Sequence, residues 1–207
     1  MSITKKTLII IFSVLIIDQL LKILVKTNMT LGESSFNSWD WWNIKWFQIK
    51  FIENHGMAFG IDIPGKFGKP SLTIFRMIAV IGIGWYLSTL ISKKAHTGLI
   101  ICLSLIFAGA IGNIIDSALY GILFSESTYS SVSGFMAEEA GYSSLLHGKV
   151  VDMLYFPLIE GHFPKWFPVW KGQSFVFFRP IFNIADSSIS IGVVTILIYQ
   201  KRFFKDL

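Results

Sequence analysis

The sequence predicts an all-α membrane protein: four transmembrane helices with a small external β-rich element and an external loop insertion. Three observations predict it. Hydrophobic residues make up 53% and charged residues 15% of the 207-residue chain, and the mean hydropathy of +0.59 is too high for a soluble domain of this size. Four apolar runs approach the roughly 20 residues that a helix needs to cross a hydrocarbon core about 30 Å thick. Basic residues gather at one set of run ends, the pattern that orients multi-pass proteins. No interdomain linker or internal repeat interrupts the chain, so residues 1–207 are expected to form one integral membrane domain.

The runs cover about 8–25, 72–91, 98–119 and 184–199. The first follows Lys5 and Lys6 as a secretory signal would, but it lacks a small-x-small cleavage site and holds Asp18, Gln19 and Lys22, so it is expected to be a retained span. Four spans place both termini on one side. Lys5, Lys6, Lys93, Lys94, Lys201, Arg202 and Lys205, against the single carboxylate Asp206, mark that side as the cytoplasm.

Segments 26–71 and 120–182 then face the exterior. In the first, Trp46 to Ile52 alternates and predicts a short sheet element, followed by a turn at Asn54-His55-Gly56. Trp39, Trp41, Trp42 and Trp46 suit a membrane-interface belt. In the second, the Ser-rich stretch Ser125 to Ser144 has no periodicity and predicts a mobile loop. Gly161 to Pro180 mixes Phe, Trp and Pro with Lys165, Lys171 and Arg179, a composition suited to the membrane surface and its lipid phosphates.

Several function classes drop out on composition. The net charge of +5 does not point to nucleic acid, because the basic residues sit at span ends and Glu33, Asp40, Glu53, Asp62, Glu138 and Glu139 dilute them elsewhere. The single cysteine, Cys102, lies within the third run, so an internal disulfide and a cysteine zinc cluster are both impossible, and core packing is its expected role. His55 and His147 belong to no His-x-x-x-His or His-Glu-x-x-His pattern, so neither a metal nor another cofactor is expected. No Gly-x-Ser-x-Gly elbow exists for a serine nucleophile, and Ser92-Lys93 lies at the cytoplasmic end.

The acids carry the remaining chemistry. An ionisable group inside an apolar span is costly, so Asp18, Lys22, Asp116 and Asp186 each need a reason. Asp18 and Lys22 stand four apart on one helical face, where the alternatives are a structural ion pair fixing the head of the first helix, a part in catalysis, or a substrate contact. Spans three and four each carry Asn-x-x-Asp, at Asn113–Asp116 and Asn183–Asp186, near their external ends. The small residues Ala108, Gly109, Ala110 and Gly112 before the first pair would let another helix approach. A third acid, Asp152, is flanked by Val150, Val151, Met153 and Leu154. Two carboxylates in close contact cannot both ionise easily; sharing a proton, one can act as base toward water while the other acts as acid. A proton-coupled carrier or a scaffold of paired helices are the competing classes, although the acids gather at one face and no inverted repeat is present.

At these residues the chain resembles the lipoprotein signal peptidase (type II signal peptidase) family along nearly its whole length. The matching motifs are Asp18-Gln19 with Lys22, Asn54-x-Gly56-x-Ala58-Phe59-Gly60, Gly109-Ala110-x-Gly112-Asn113-x-x-Asp116, Val150-Val151-Asp152 and Phe182-Asn183-x-Ala185-Asp186. The resemblance implies a four-helix aspartic endopeptidase of the bacterial cytoplasmic membrane, with Asp152 and Asp186 catalytic and the active site at the external face. It implies supporting or substrate-binding roles for Asp18, Lys22, Asn54, Gly56, Gly109, Asn113, Asp116, Asn183 and Ala185. The implied substrates are diacylglyceryl-modified prolipoproteins, cut just before the lipidated cysteine by a monomeric enzyme among membrane lipids. The chain departs from the family pattern at two places: Ser117 stands where the family usually has Arg, with Lys149 as a candidate replacement cation, and an insertion covers roughly 122–147. That insertion is expected to be either a lid over bound substrate or a tolerated surface loop.

Overall fold

The computed structural model describes residues 1–34, 46–54, 68–135, 141–166 and 168–205. Gly56 and the residues of its motif that follow it, with the tryptophans at 39, 41 and 42, lie outside the described residues. The apolar runs all form helices, each extended beyond the run by a few polar residues. Helix α1 spans Ile3–Asn28, opened by Ser2, whose hydroxyl accepts the Lys5 N–H. Helix α2 spans Gly68–Ser92 and α3 spans Thr97–Ile115. A π-helical turn over Asp116–Tyr120 and a short α4 at Gly121–Leu123 continue α3, so that Thr97–Leu123 forms one 27-residue apolar rod.

Three helical stretches, Ile3–Asn28, Lys69–Ser92 and Thr97–Leu123, are long and apolar enough to cross a membrane. The last helix, α5 (Ile184–Phe203), has 20 residues, about 30 Å at 1.5 Å per residue. It is more polar, interrupted by Asp186, Ser187, Ser188, Ser190 and Thr195. Large apolar side chains on the outside of the bundle, among them Phe12, Ile16, Leu20, Ile81, Trp85, Leu197 and Ile198, are exposed. Such a surface matches a hydrocarbon solvent.

Helices α3 and α5 approach closely because glycines line their contact. A Cβ on Gly109 would stand 2.3 Å from the Ala185 carbonyl oxygen, and one on Gly192 would stand 2.7 Å from that of Cys102. Close backbone approach of this kind is how helices gain contact area when lipid removes the hydrophobic drive between them. At one end of the bundle Ile3, Ala95, Leu99 and Phe203 join a common apolar cluster, beside the basic residues Lys5, Lys93, Lys94 and Lys201. At the other end Val25, Phe51, Tyr120, Phe124, Val151 and Met153 form a second core beneath the strands.

The β-rich element is larger than Trp46–Ile52. Strand β1 (Gln48–Asn54) pairs antiparallel with β2 (Val150–Tyr155), and β2 pairs with β5 (Ile181–Phe182), giving the order β1-β2-β5. Ile52 stands opposite Asp152, with a bulge between Ile49 and Ile52. A separate hairpin joins β3 (Ile159–His162) to β4 (Ser174–Phe177) within the segment expected at the membrane surface. The aromatic rings of Trp46, Phe47, Phe156, Phe182 and Phe178 pack in that succession beside the three-stranded sheet.

The described part of the insertion is folded against the rest of the molecule. Phe124 bridges Phe135, the Ser133 hydroxyl donates to the Ser125 carbonyl at 2.7 Å, and Ser127 and Ser133 are buried. Hydrogen bonds between turns, without helical or strand periodicity, organise this stretch, which is why no pattern in the sequence announces it.

Candidate active site

Five elements, α1, α3, β1, β2 and α5, converge on the sheet end of the bundle, each delivering polar groups. From α1 come Asp18, Gln19 and Lys22; from α3 and its π turn, Asn113 and Asp116; from the strands, Asn54 and Asp152; from the start of α5, Asn183, Ala185 and Asp186. The helical spacings put Asp18 with Lys22, and Asn113 with Asp116, on single faces. A π turn inside a helix often marks a functional position, and here it begins at Asp116.

Lys22 brings a positive charge to Asp18 and Asp116. Its fully buried ammonium lies 2.9 Å from Asp18 Oδ2 and 2.7 Å from Asp116 Oδ2, and it donates to Asn113 Oδ1 at 3.0 Å. One positive charge thus serves two carboxylates in an apolar bundle, where each would otherwise be prohibitively desolvated. Asp18 Oδ1 also accepts the Ala185 N–H at 2.8 Å, so α1 helps to cap α5. Gly112 makes room for this carboxylate, since a Cβ there would stand 2.8 Å from Asp18 Oδ2.

Asn183 opens α5 with a reciprocal cap. Its side-chain oxygen accepts the Asp186 N–H at 2.8 Å, and its own N–H donates to Asp186 Oδ2 at 3.3 Å. The Asn183 amide group also donates to Asp152 Oδ1 at 2.9 Å, with Asn113 Oδ1 at 3.1 Å and the Val151 carbonyl at 3.2 Å as further acceptors. Asn113 in turn donates to Asp186 Oδ1 at 2.8 Å. The two asparagines therefore join Asp152 and Asp186 in one hydrogen-bond network. Asn54 completes the surroundings of Asp152, donating to Oδ2 at 3.3 Å.

Asp152 is only 5% exposed. Burial, with the neighbouring Asp186 charge, pushes its carboxyl up to about 7, against the opposing pull of the Asn54 and Asn183 hydrogen bonds. Asp186, in the same network, is half-buried.

Gln19 and Tyr120 contribute in ways the sequence motifs do not assign. Gln19 Nε2 donates to Asp116 Oδ1 at 2.9 Å, and the Tyr120 hydroxyl donates to Gln19 Oε1 at 3.1 Å. The signal was available as helical spacing, since Tyr120 follows Asp116 by four residues. Lys149 does not replace the missing arginine at Asp116: its ammonium lies 3.0 Å from Glu53 and 3.9 Å from Glu126. Buried Ser117 bonds back to the Asn113 carbonyl at 2.9 Å, while Gly148 packs where a Cβ would stand 2.0 Å from the Asp116 carbonyl oxygen.

Comparison with known proteins identifies the family. The signal peptidase (SPase) II family matches residues 10–202. A lipoprotein signal peptidase from Porphyromonas gingivalis is 48% identical over 189 residues, covering 91% of this chain and 79% of its own length. One from Amoebophilus asiaticus is 36% identical over 191 residues, covering 90% and 73%. A bacterial membrane enzyme solved by the in meso method at 2.3 Å resolution superposes with a TM-score of 0.60 at 27% identity, over 98% of this chain and 92% of that one. With the family match spanning the bundle and the acids at its sheet end, the chain belongs to the signal peptidase II family, peptidases of the aspartic type.

Proposed function

We propose that Asp152 and Asp186 are the catalytic dyad of an endopeptidase that removes signal peptides from diacylglyceryl-modified prolipoproteins, cutting before the lipidated cysteine. The observation that carries this reading is the single network in which Asn183 and Asn113 hold both carboxylates, with Asp152 buried and Asp186 half-buried. The dyad retains one proton. The ionised carboxylate takes a proton from water, whose oxygen attacks the scissile carbonyl carbon as the protonated partner gives its proton to the carbonyl oxygen. The tetrahedral diol then collapses: one hydroxyl returns its proton to the partner carboxylate as the carbonyl reforms, the C–N bond breaks, and the leaving nitrogen takes the proton from the carboxyl that received it, so the dyad again holds one proton.

The same reading places four spans in the bacterial cytoplasmic membrane, α5 included, with both termini cytoplasmic and the dyad external. The gathering of Lys5, Lys93, Lys94 and Lys201 at the bundle end away from the acids supports it. A scissile bond between a membrane-held signal helix and a diacylglyceryl group in the outer leaflet lies at that boundary. Asn54 and the motif at Gly56 would contact the extended substrate, whose amides need partners in apolar surroundings. The enzyme is taken to act as a monomer.

Detergent-purified protein incubated with a diacylglyceryl-modified precursor tests the proposal. The expected product begins at the lipidated cysteine, formed equally well with a chelator present. A product beginning elsewhere, or cleavage that requires an added divalent metal, would overturn it.

A further inference from the structure

One residue before Asn54 on β1, and so on the opposite face of the strand, Glu53 enters a second buried polar cluster that the dyad network does not include. Its side chain is 3% exposed. Oε1 accepts from Lys26 Nζ and from the Ser127 hydroxyl at 3.0 Å, and Oε2 lies 3.0 Å from Lys149 Nζ. The Lys26 ammonium is fully buried, donates to Ser127 Oγ at 2.9 Å, and lies 5.4 Å from the Phe124 ring centre and 5.0 Å from that of Tyr142. The Tyr142 hydroxyl accepts the Lys149 N–H at 2.6 Å. Phe124, Ser127 and Tyr142 all belong to the insertion. Its main chain is tied in as well: Leu31 N–H donates to the Thr128 carbonyl at 2.8 Å, and the adjoining turn bonds to Phe51 of β1 in both directions.

A buried ion pair is poor evidence for stability, because well-packed apolar residues usually serve as well or better. What this pair supplies is direction. It fixes the end of β1 between α1 and the insertion, next to a contact with little tolerance: the Asn54 to Asp152 hydrogen bond is 3.3 Å long and would be lost on a displacement of a few tenths of an ångström. We infer that Lys26, Glu53 and Ser127 are positioning residues, and that the described part of the insertion, through Phe124, Ser127, Thr128 and Tyr142, is a strut that sets Asn54 against Asp152. This rests on the reading of Asp152 as catalytic. Glu53 is well suited to stay charged: burial alone would raise its carboxyl, but the Lys26 and Lys149 charges and hydrogen bonds hold it below the ordinary value.

Steady-state cleavage by the full-length enzyme in detergent tests the inference. Glu53→Gln is expected to lower kcat about tenfold or more, with KM within about twofold, and to move the dyad's pH limb upward as Asp152 loses a hydrogen bond that favours its charged form. In an Asn54→Ala background the same substitution should cost nothing further, whereas independent effects would multiply. Lys26→Arg, which keeps the cation, should retain most of the turnover that Lys26→Met loses. If Glu53→Gln fails to fold, the apolar double variant Lys26→Met, Glu53→Met keeps the question open to measurement: it should unfold no more easily than the parent yet remain slow. Normal kcat in either Glu53 variant, or multiplicative losses with Asn54→Ala, would overturn the strut. Asp152→Asn assayed alongside separates the two levels, since its activity would refute the dyad, while its inactivity beside normal Glu53 variants would refute the strut alone.

Discussion

Asn183 donates its side-chain amide to Asp152 at 2.9 Å while the oxygen of the same side chain caps the helix that begins one residue later and carries Asp186. One residue thus fixes both acids. Asn183→Ser keeps a capping oxygen but loses the amide donor. It is expected to melt within a few degrees of the parent and to cleave about a hundredfold more slowly. Asn183→Ala should lose activity to the same degree and about 1 kcal/mol of stability besides, the usual worth of a cap. Equal activity in the serine variant and the parent would show that the donor does not matter.

Asp152 gives a pH signature. Its folded value of about 7 stands well above the ordinary 3.8 because burial, then the Asp186 charge, disfavours ionisation. Between those values the folded chain holds a proton that the unfolded chain has released. Stability contributed by this group therefore falls as pH rises from about 4 to about 7 and levels off above. Asp152→Asn abolishes the titration, so its melting temperature relative to the parent should be higher at pH 8 than at pH 4. Turnover by the parent should decline above about pH 7, as the dyad loses its remaining proton. A melting difference independent of pH would contradict the assignment.

The glycine contacts between α3 and α5 give a packing test. Gly109→Ala drives a methyl into the Ala185 backbone, one residue from Asp186, and is expected to lower both stability and cleavage severely. A Cβ on Gly82 of α2 would meet nothing within 4 Å, so Gly82→Ala should be neutral or stabilising by up to about 1 kcal/mol. Thermal unfolding in detergent and the cleavage assay distinguish the two.

Orientation follows from the basic residues. Reporter fusions at Lys94 and after Leu207 are expected to report cytoplasm, and fusions near Gly65 and Ser133 the exterior. A fusion after Leu207 that reports the exterior would show that α5 does not complete a fourth crossing.

Much of this architecture was legible because lipid makes helices legible. Each apolar run forms a helix, and the i, i+3 spacing of Asn113 with Asp116 and of Asn183 with Asp186 placed amide and acid together. What the sequence did not disclose was long-range pairing. Asn54 and Asp152 meet because β1 pairs with a strand about a hundred residues away, and neither strand's local pattern names its partner. The second buried cluster was hidden for a similar reason. Lys26 falls at a span end, where a lysine ordinarily faces lipid phosphate, and Glu53 and Ser127 have the composition of solvated loops; only the folded insertion buries the three together. The absent arginine pointed to Lys149 as its replacement, whereas Lys22, already paired with Asp18 by spacing, is the cation that Asp116 uses.

The dyad is tested by single-turnover cleavage of a diacylglyceryl-modified precursor by Asp152→Asn and Asp186→Asn, each purified from membranes beside the parent enzyme. An amide neither takes the proton from water nor returns it to the leaving nitrogen, so each variant is expected to insert, fold and bind the precursor but release no product. Near-normal turnover by either variant would remove that residue from the dyad and contradict the mechanism.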